Sequence, residues 1–477
     1  MKILFCGRTE AHFPYHVSII DALLKNGHTV RLLYDEGWSR RTLFDNSSLI
    51  GFASRHPNLS VGWSRRRVGL LRHIIFPLRE LRSVASYLNR PSQSAFYRKR
   101  WIKYLPKGLR RVARARFGQR LLKSGLASDL LARIEWSVPP DKTIEREIAD
   151  YAPDVVVCSP VNQRWSEELE YLKAAKNLGI PTALPVYSWD NLSTKGLIHV
   201  APDLLMAWNK VHEQEAITIH KIDPDRVVQT GSAFFDKWFS MRRATRSERH
   251  QFLKKVGLDP ARPYLLYLGS SANIARDESW VVANIVRQFR ADEALRDMQI
   301  LIRPHPANNE VYDKVRCEGV SIWPRKKQLP DDPESQLDFV NSVQHAVLSL
   351  GINTSGMIDA LIQDRPVAAF VSDTFKATQE EAVHFQHMRD AGCFYEVNSA
   401  AELPTLLKII TDGEPEDLRE RRRDFVRAMV RPHGLDKNAG ELSAWCIEKL
   451  GEGVKPEAVK ALLDRLVSES YRKGGAQ

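Results

Sequence analysis

The sequence alternates short apolar runs with helical patterns of apolar side chains, and it does so in two successive series. The first series opens with an apolar run at residues 2–6, a helical pattern at residues 16–26 and a second apolar run at residues 29–33. Strand–helix–strand units of this kind build parallel sheets, whose ligands bind beyond the carboxyl ends of the strands. A second series opens at residues 264–268, after a polar stretch at residues 242–255. The alternation therefore predicts an α/β chain with two domains.

The length and composition are consistent with this division. A chain of 477 residues exceeds one ordinary hydrophobic core, and 43% hydrophobic residues supply enough apolar material for two. We predict an N-terminal domain at residues 1–240, a second domain at 241–432, and closing helices and a tail at 433–477. The five cysteines are scattered without a CxxC pair, and no apolar run approaches the length that spans a bilayer. Both features predict a cytoplasmic protein.

A basic segment interrupts the first series at about residues 60–140, where the pattern is helical. Residues 65–123 contain eighteen Lys or Arg and a single acid, Glu80, whereas the whole chain has a net charge of +12. The basic character therefore belongs to this insertion. Cations mixed with aromatic residues are typical of nucleic-acid sites, of surfaces that lie on anionic membranes, and of solvated helical arms.

One candidate phosphate site follows the predicted strand at residues 299–303, in the sequence Arg303-Pro304-His305-Pro306. The Arg303 guanidinium offers a planar pair of donors for phosphate oxygens, and His305 can donate to phosphate or to a leaving oxygen. The prolines restrict the turn that directs both side chains. The alternative is a surface turn with a structural arginine.

A second candidate site follows the predicted strand at residues 346–350. Its turn is rich in small residues, whose backbone amides can bind phosphate: Asn353, Thr354, Ser355 and Gly356. One turn later, Asp359 could reach ribose hydroxyls. The alternative is a helix cap at Thr354 or Ser355 with a solvated Asp359. A third small-residue turn follows residues 264–268, and it either holds phosphate oxygens or is a plain strand-to-helix turn: Gly269, Ser270 and Ser271.

The order of these motifs resembles that of GT-B glycosyltransferases, as does the early turn Gly27-His28-Thr29-Val30. The Arg303-Pro304-His305-Pro306 sequence is similar to the His-Pro motif of bacterial surface-polysaccharide and glycerophosphate transferases. The resemblance covers most of the chain except the basic insertion. It implies two Rossmann-like domains facing a cleft, with the nucleotide donor held by the second domain. It also implies transfer of a sugar from a nucleotide-sugar to a glycan or lipid-linked acceptor in cell-surface polysaccharide synthesis, with no cofactor and no metal.

Such a reaction needs a base, because the acceptor alcohol loses its proton as it attacks. The candidates in the first domain are Glu10, His12 and Asp190. Glu10 and His12 lie in the first loop, where many inverting GT-B enzymes place their base. Asp190 lies in a loop after a later strand, where Trp189 could stack on a sugar. The alternative is an Asx-type turn at Asp190 with a packed Trp189.

The same resemblance favours an anionic membrane surface as the partner of residues 65–123, and not nucleic acid, because lipid-linked acceptors lie at the inner leaflet. The protein is then expected at the cytoplasmic face of the membrane, as a peripheral protein. Three other functions are considered: a CDP-glycerol-type polyol-phosphate transferase, a sugar-nucleotide 2-epimerase, and a non-catalytic nucleotide-binding module. Epimerases of this fold tend to be shorter and to lack a basic lipid-facing segment, which argues against the second.

Overall fold

The computed structural model describes residues 1–40, 46–90, 94–244, 249–325 and 332–474. The chain divides into two compact units. The first unit comprises Met1–Asp236 and Ala428–Gln477, and the second comprises Lys237–Arg427. Residues 245–248, part of the polar stretch between the two predicted domains, lie outside the described residues.

Each unit contains one parallel sheet. The strands of the first sheet are β1 (Lys2–Gly7), β2 (Thr29–Tyr34), β3 (Leu59–Trp63), β4 (Val155–Ser159), β5 (Thr182–Pro185), β6 (Leu204–Ala207) and β7 (Val227–Gln229). The strands of the second sheet are β8 (Tyr264–Leu268), β9 (Gln299–Arg303), β10 (Val320–Ile322), β11 (Leu348–Gly351), β12 (Val367–Phe370) and β13 (Tyr395–Val397). Their spatial orders are β3-β2-β1-β4-β5-β6-β7 and β10-β9-β8-β11-β12-β13.

Helices connect and cover these strands. Those before the first unit's last strand are α1 (Phe13–Lys25), α2 (Glu36–Ser39), α3 (Ser47–Ala53), α4 (Leu70–Leu88), α5 (Ala95–Tyr104), α6 (Lys107–Arg114), α7 (Arg116–Lys123), α8 (Gly125–Ser137), α9 (Lys142–Tyr151), α10 (Glu168–Asn177), α11 (Asn191–Thr194) and α12 (Lys210–Thr218). The next are α13 (Asp236–Ala244), α14 (Arg249–Val256), α15 (Ser279–Ala291), α16 (Pro333–Gln344), α17 (Gly356–Ile362), α18 (Val383–Asp390), α19 (Leu403–Gly413) and α20 (Glu416–Met429). The chain ends with α21 (Ala439–Gly451) and α22 (Pro456–Gly474). None of the described helices has the length and hydropathy needed to cross a membrane.

The order of each sheet marks where ligands are expected. The direction of winding reverses between β1 and β4 in the first sheet and between β8 and β11 in the second. In open parallel sheets, ligands bind at such reversal points, beyond the carboxyl ends of the strands. The central strands β4 and β8 are buried along their whole length because helices cover both faces.

The basic insertion begins later than the sequence predicted. Residues Leu59–Trp63 form strand β3, which pairs with β2 in parallel at the edge of the first sheet. Three of the five residues of β3 are exposed, so the strand lacks the apolar run that identifies a buried strand. The inserted helices are therefore α4 to α8, at residues 70–137.

The closing helices are part of the first unit and do not form a separate segment from residue 433. Helix α21 packs on α1, and a Cβ atom at Gly440 would overlap Ser18, so the two helices approach at this glycine. The Asp236 carboxylate accepts hydrogen bonds from the Ser18 hydroxyl at 2.8 Å and from the Gly440 amide at 2.7 Å. These contacts join residues more than 200 positions apart, so no local pattern could predict them.

Candidate functional site

In the second unit, two of the predicted phosphate-binding loops are in contact at the carboxyl edge of the sheet. The Gly269 amide, just after β8, donates to the Arg303 carbonyl at the end of β9 over 2.9 Å. A Cβ atom at Gly269 would lie 3.0 Å from the backbone nitrogen of His305 and 2.6 Å from the Tyr312 hydroxyl. Glycine at this position therefore allows the loops after β8 and β9 to meet.

The His305 imidazole is held in one protonation state. Its Nδ1 accepts a hydrogen bond from the Ala307 amide at 3.1 Å, which leaves Nε2 to carry the proton. Burial lowers the pKa of His305 to about 4, so the ring is neutral at physiological pH. His305 is thus an oriented N–H donor of the kind that binds a phosphate oxygen.

The Arg303 guanidinium is engaged by a neighbouring helix. Its Nη1 donates to the Ser342 hydroxyl at 2.9 Å and to the Asp338 carbonyl at 3.3 Å, both on α16, and the group lies 5.0 Å from the centre of the Phe339 ring. These contacts give Arg303 the structural role that the sequence analysis kept as its alternative. Binding of phosphate by its remaining nitrogens stays a prediction.

A buried acid that the sequence analysis missed fixes the loop after β8. The Glu278 carboxylate accepts from the Ser270 amide at 2.6 Å, from the Tyr312 hydroxyl at 2.7 Å and from the Tyr267 hydroxyl at 3.1 Å. Burial raises the pKa of Glu278. Ser270 is fully buried, whereas Ser271 is partly exposed. Glu278 therefore holds the candidate loop through its backbone.

The turn after β11 is held by its asparagine. The Asn353 amide nitrogen donates to the Thr378 carbonyl at 2.7 Å and lies 3.2 Å from the His384 imidazole. The side chain of Asn353 thus holds the turn through its contacts with Thr378 and His384. Thr354, Ser355 and Gly356 are partly exposed, and the backbone amides of Thr354 and Ser355 have no hydrogen-bond partner among the described residues. Their binding of phosphate stays a prediction.

The Asp359 carboxyl is buried beside Lys237 and Trp238, the first residues of the second unit. It is not solvated, unlike the alternative considered from the sequence. Burial raises the pKa of Asp359 to about 7, and the charge of Lys237 only partly offsets this effect. The contact of Asp359 with ribose stays a prediction.

Substitution of Asp359 by asparagine is expected to change how stability depends on pH. The pKa of an unfolded aspartate is about 3.9, so between about pH 4 and pH 7 the folded state binds more protons, and the free energy of unfolding falls as pH rises. The asparagine side chain does not titrate, so the variant does not lose stability in this way as pH rises. It should be more stable than wild type by about 1–3 kcal/mol near pH 8 and no more stable near pH 4. Urea denaturation across this range tests the expectation, with exposed Asp373→Asn as control. A gain that does not vary with pH would contradict it.

In the first unit, Glu10 and His12 form the single turn that follows β1. The Glu10 carboxylate accepts from the Asn46 amide at 3.3 Å. The His12 ring stacks on the Tyr187 ring, with 5.2 Å between centres. Burial, with a contribution from the Arg8 charge, lowers the pKa of His12 to about 3. A group with this pKa is a weak proton acceptor at neutral pH, which counts against His12 as the base.

The Asp190 carboxylate is occupied by its own loop. It accepts from the Ser188 hydroxyl at 2.5 Å, from the Thr194 hydroxyl at 2.8 Å and from the Lys195 ammonium at 2.7 Å. Trp189 is 7% exposed and packs into the unit. Both observations match the alternative stated from the sequence, an Asx-type turn with a packed tryptophan.

A cluster of buried charges that the sequence analysis missed lies beyond the carboxyl ends of β1 and β4. The Arg8 guanidinium lies 3.9 Å from the centre of the Trp38 ring and donates to the Arg164 carbonyl at 2.6 Å. Glu80, from α4, accepts from the Trp165 amide at 3.0 Å, and Glu168 accepts from the Ser166 hydroxyl. Burial lowers the pKa of Arg8, raises that of Glu80 to about 7 and raises that of Glu168.

This cluster retains unused hydrogen-bonding capacity. One buried polar atom in each of four residues has no partner among the described residues: Arg8 Nη1, His12 Nδ1, Glu80 Oε2 and Glu168 Oε1. Buried polar groups are normally paired, so this edge can bind polar groups of a substrate or water. The one available signal in the sequence was that Glu80 is the only acid in the basic segment.

The comparisons with known proteins identify the fold. The sequence matches no protein-family model and no curated protein. The UDP-GlcNAc 2-epimerase of Neisseria meningitidis, solved with UDP-GlcNAc, is 14% identical, with a TM-score of 0.54 over 94% of this chain and 100% of that one. MnaA of S. aureus, solved with UDP, is 13% identical, with a TM-score of 0.53 over 94% and 96%. The UDP-GlcNAc 2-epimerase of Methanocaldococcus jannaschii, solved with UDP-GlcNAc and UDP, is 14% identical, with a TM-score of 0.52 over 94% and 99%.

The protein has the GT-B fold. Its two Rossmann-like units, with parallel sheets of seven and six strands, match this fold over nearly the whole chain. The fold predicted from the sequence is thereby confirmed. The relation to transferases with an Arg-Pro-His-Pro motif stays a prediction, since identities of 13–14% show the fold alone.

Proposed function

We propose that this protein is a glycosyltransferase that transfers a sugar from a nucleotide-sugar to a lipid-linked or surface-glycan acceptor. The observation that carries the proposal is the oriented His305 Nε2–H at the carboxyl edge of the second sheet, beside the Gly269 turn. Proteins of the same fold have been solved with UDP and UDP-GlcNAc. A neutral donor fixed at this edge can stabilise the charge that develops on a leaving phosphate.

On the acceptor side, we add Glu80 to Glu10, His12 and Asp190 as a candidate base. Its Oε2 has no partner among the described residues, and a base with a pKa near 7 is well matched to proton abstraction at neutral pH. Asp190 is less suited because a lysine and two hydroxyls already occupy its carboxylate.

Substitution of Glu80 by glutamine is expected to lower kcat about a hundredfold or more while leaving nucleotide affinity unchanged. Glutamine can still accept the Trp165 hydrogen bond, so the fold is retained. Wild-type activity should fall as pH drops through about 7, where the carboxylate becomes protonated. The same measurement on Glu10→Gln tests the rival candidate base. If that variant loses turnover and the Glu80 variant does not, the base lies in the first loop.

The function is tested by a donor screen with product detection. Thermal shifts with UDP-, GDP-, CDP- and CMP-linked donors identify the nucleotide, and turnover is then measured with lipid-linked acceptors. Activity should persist in excess EDTA, since we propose a mechanism without metal. A donor that stabilises the protein without turnover would favour a nucleotide-binding module, and transfer from CDP-glycerol would favour a polyol-phosphate transferase.

A sugar-nucleotide 2-epimerase is the second candidate. The structures of similar fold named above include two UDP-GlcNAc 2-epimerases, which match over 94% of this chain. An epimerase converts the donor without any acceptor. Incubation with UDP-GlcNAc alone, followed by NMR of the sugar, distinguishes the two activities.

A further inference from the structure

The basic residues of the insertion fall into two groups with different surroundings. At the start of the basic segment 65–123, arginines pair with acids outside that segment: Arg66 with Asp35, Arg67 with Glu170, Arg72 with Glu167, and Arg79 with Glu135 and Glu170. All four acids are almost completely buried. These arginines therefore serve the fold and are not free to bind a partner.

Most cations of α5 to α7 are exposed, whereas Arg100 and Arg110 donate hydrogen bonds to backbone carbonyls. Eight side chains in this stretch are exposed and form no ion pair with any described residue: Lys99, Lys103, Lys107, Arg111, Arg114, Arg116, Arg120 and Lys123. No acidic residue lies between residues 81 and 128 to neutralise them. This part of the insertion therefore carries a concentrated positive charge on its surface.

Large apolar side chains are exposed among these cations. On α7, Phe117 is 78% exposed and Leu121 is 51% exposed, and on α8, Leu126 and Leu130 are 84% and 59% exposed. Within each pair the residues are four positions apart, so they lie on one face of their helix. The packing of the insertion uses other side chains, such as the buried Leu122. The exposed residues are thus not needed for its core.

Helices α6 to α8 pack against one another, so that these features share one region. A Cβ atom at Gly118 would overlap the Val112 carbonyl, which shows how closely α7 approaches α6. Helix α7 also packs on α8. Val112 is 46% exposed, like the apolar residues of the neighbouring helices. An exposed apolar patch rimmed by unpaired cations is a typical interaction surface.

We propose that the outer face of α6–α8 binds an anionic lipid bilayer, with its apolar side chains in the interface and its cations on the lipid phosphates. A bilayer provides both anionic groups and an apolar layer, which amphipathic basic helices require. A nucleic acid would match the charge but offers no apolar medium for the aliphatic side chains. A second copy of the chain would bring like charges together. The proposal goes beyond the proposed reaction and does not depend on it.

Vesicle flotation of the full chain tests this surface. Wild-type protein should bind vesicles that contain phosphatidylglycerol and should bind vesicles of phosphatidylcholine alone much more weakly, with a loss at high salt. The double variants Arg116→Glu/Arg120→Glu and Phe117→Ser/Leu121→Ser should each weaken binding about tenfold or more.

Matched controls make the same kinds of substitution on α22 and at Lys455, just before it. Leu462→Ser/Leu466→Ser repeats the four-residue apolar spacing at 37% and 41% exposure. Lys455→Glu/Arg465→Glu repeats the charge reversal at exposed positions. Both controls should bind vesicles like wild type. Four results would each overturn the proposal. The protein could bind both vesicle types equally, or the variants and the controls could lose binding equally. The protein could instead bind RNA more strongly than vesicles, or form a dimer that dissociates in the Phe117 variant. Nucleotide-sugar binding, measured on the same variants, reports separately on the proposed function.

Discussion

Substitution of Glu135 by glutamine is expected to lower the free energy of unfolding by about 3–5 kcal/mol. Glu135 is fully buried, and its carboxylate pairs with the Arg79 guanidinium at 2.8 Å and with the Lys173 ammonium at 3.2 Å. Arg79 also pairs with Glu170, which in turn pairs with Arg67. Removing one anion leaves three buried cations, Arg67, Arg79 and Lys173, with one remaining carboxylate. The loss is large because buried charges cannot be solvated by water.

The charges in this network respond as coupled groups. Burial lowers the pKa of Arg79, but the neighbouring Glu170 and Glu135 more than offset that effect, so its pKa is raised. Burial lowers the pKa of Lys173, and Glu135 only partly compensates. Urea denaturation followed by tryptophan fluorescence measures the change. Asp129→Asn, an exposed acid on the same helix, is the control and should unfold like wild type. A Glu135 variant that also unfolds like wild type would show that the network does not support the fold.

Substitution of His305 by alanine is expected to weaken nucleotide-sugar binding about tenfold to a hundredfold, because a hydrogen bond to a charged phosphate is lost. The ratio of wild-type affinity to that of the His305→Ala variant should be constant from about pH 6 to pH 8, since the pKa of His305 is about 4 and the ring does not titrate there. Isothermal titration calorimetry with the donor found in the screen measures both effects. A steep change in this ratio between these pH values would contradict a neutral donor.

The chain contains its own control for this substitution. A second Arg-Pro-His triplet occurs at Arg431-Pro432-His433, and its contacts lie within the first unit. Arg431 pairs with the Asp236 carboxylate at 2.5 Å and donates to the Leu435 carbonyl, whereas His433 lies 2.6 Å from the Gln229 carbonyl. These contacts give the triplet a structural role in the first unit. His433→Ala should therefore leave nucleotide affinity unchanged, and equal losses in both variants would remove His305 from the donor site.

Much of the fold could be predicted from local sequence. Strands β8 and β9 have the predicted bounds, and β1 extends one residue beyond the predicted run. These strands are buried on both faces, so each appears in the sequence as an unbroken apolar run. The short strands β3, β10 and β13 were missed, since each has residues that face solvent at the edge of its sheet.

The candidate site was predictable in outline only. The order of strands and small-residue turns placed Gly269, His305 and Thr354 after neighbouring strands of one sheet, because parallel strands end at a common edge. Glu278 and Arg8 were missed because their partners lie in other elements. The contacts of Arg303 with α16 could not be predicted either, since an arginine has the same appearance in a sequence whether it binds a ligand or a helix.

The sequence by itself determined the two α/β units, the positions of their loops and the concentration of positive charge in one insertion, because apolar periodicity and charge are local properties. Only the tertiary structure decided which cations of the insertion are paired and which remain exposed. It also decided that Glu80 reaches the end of β4, since burial and pairing depend on residues distant in the chain.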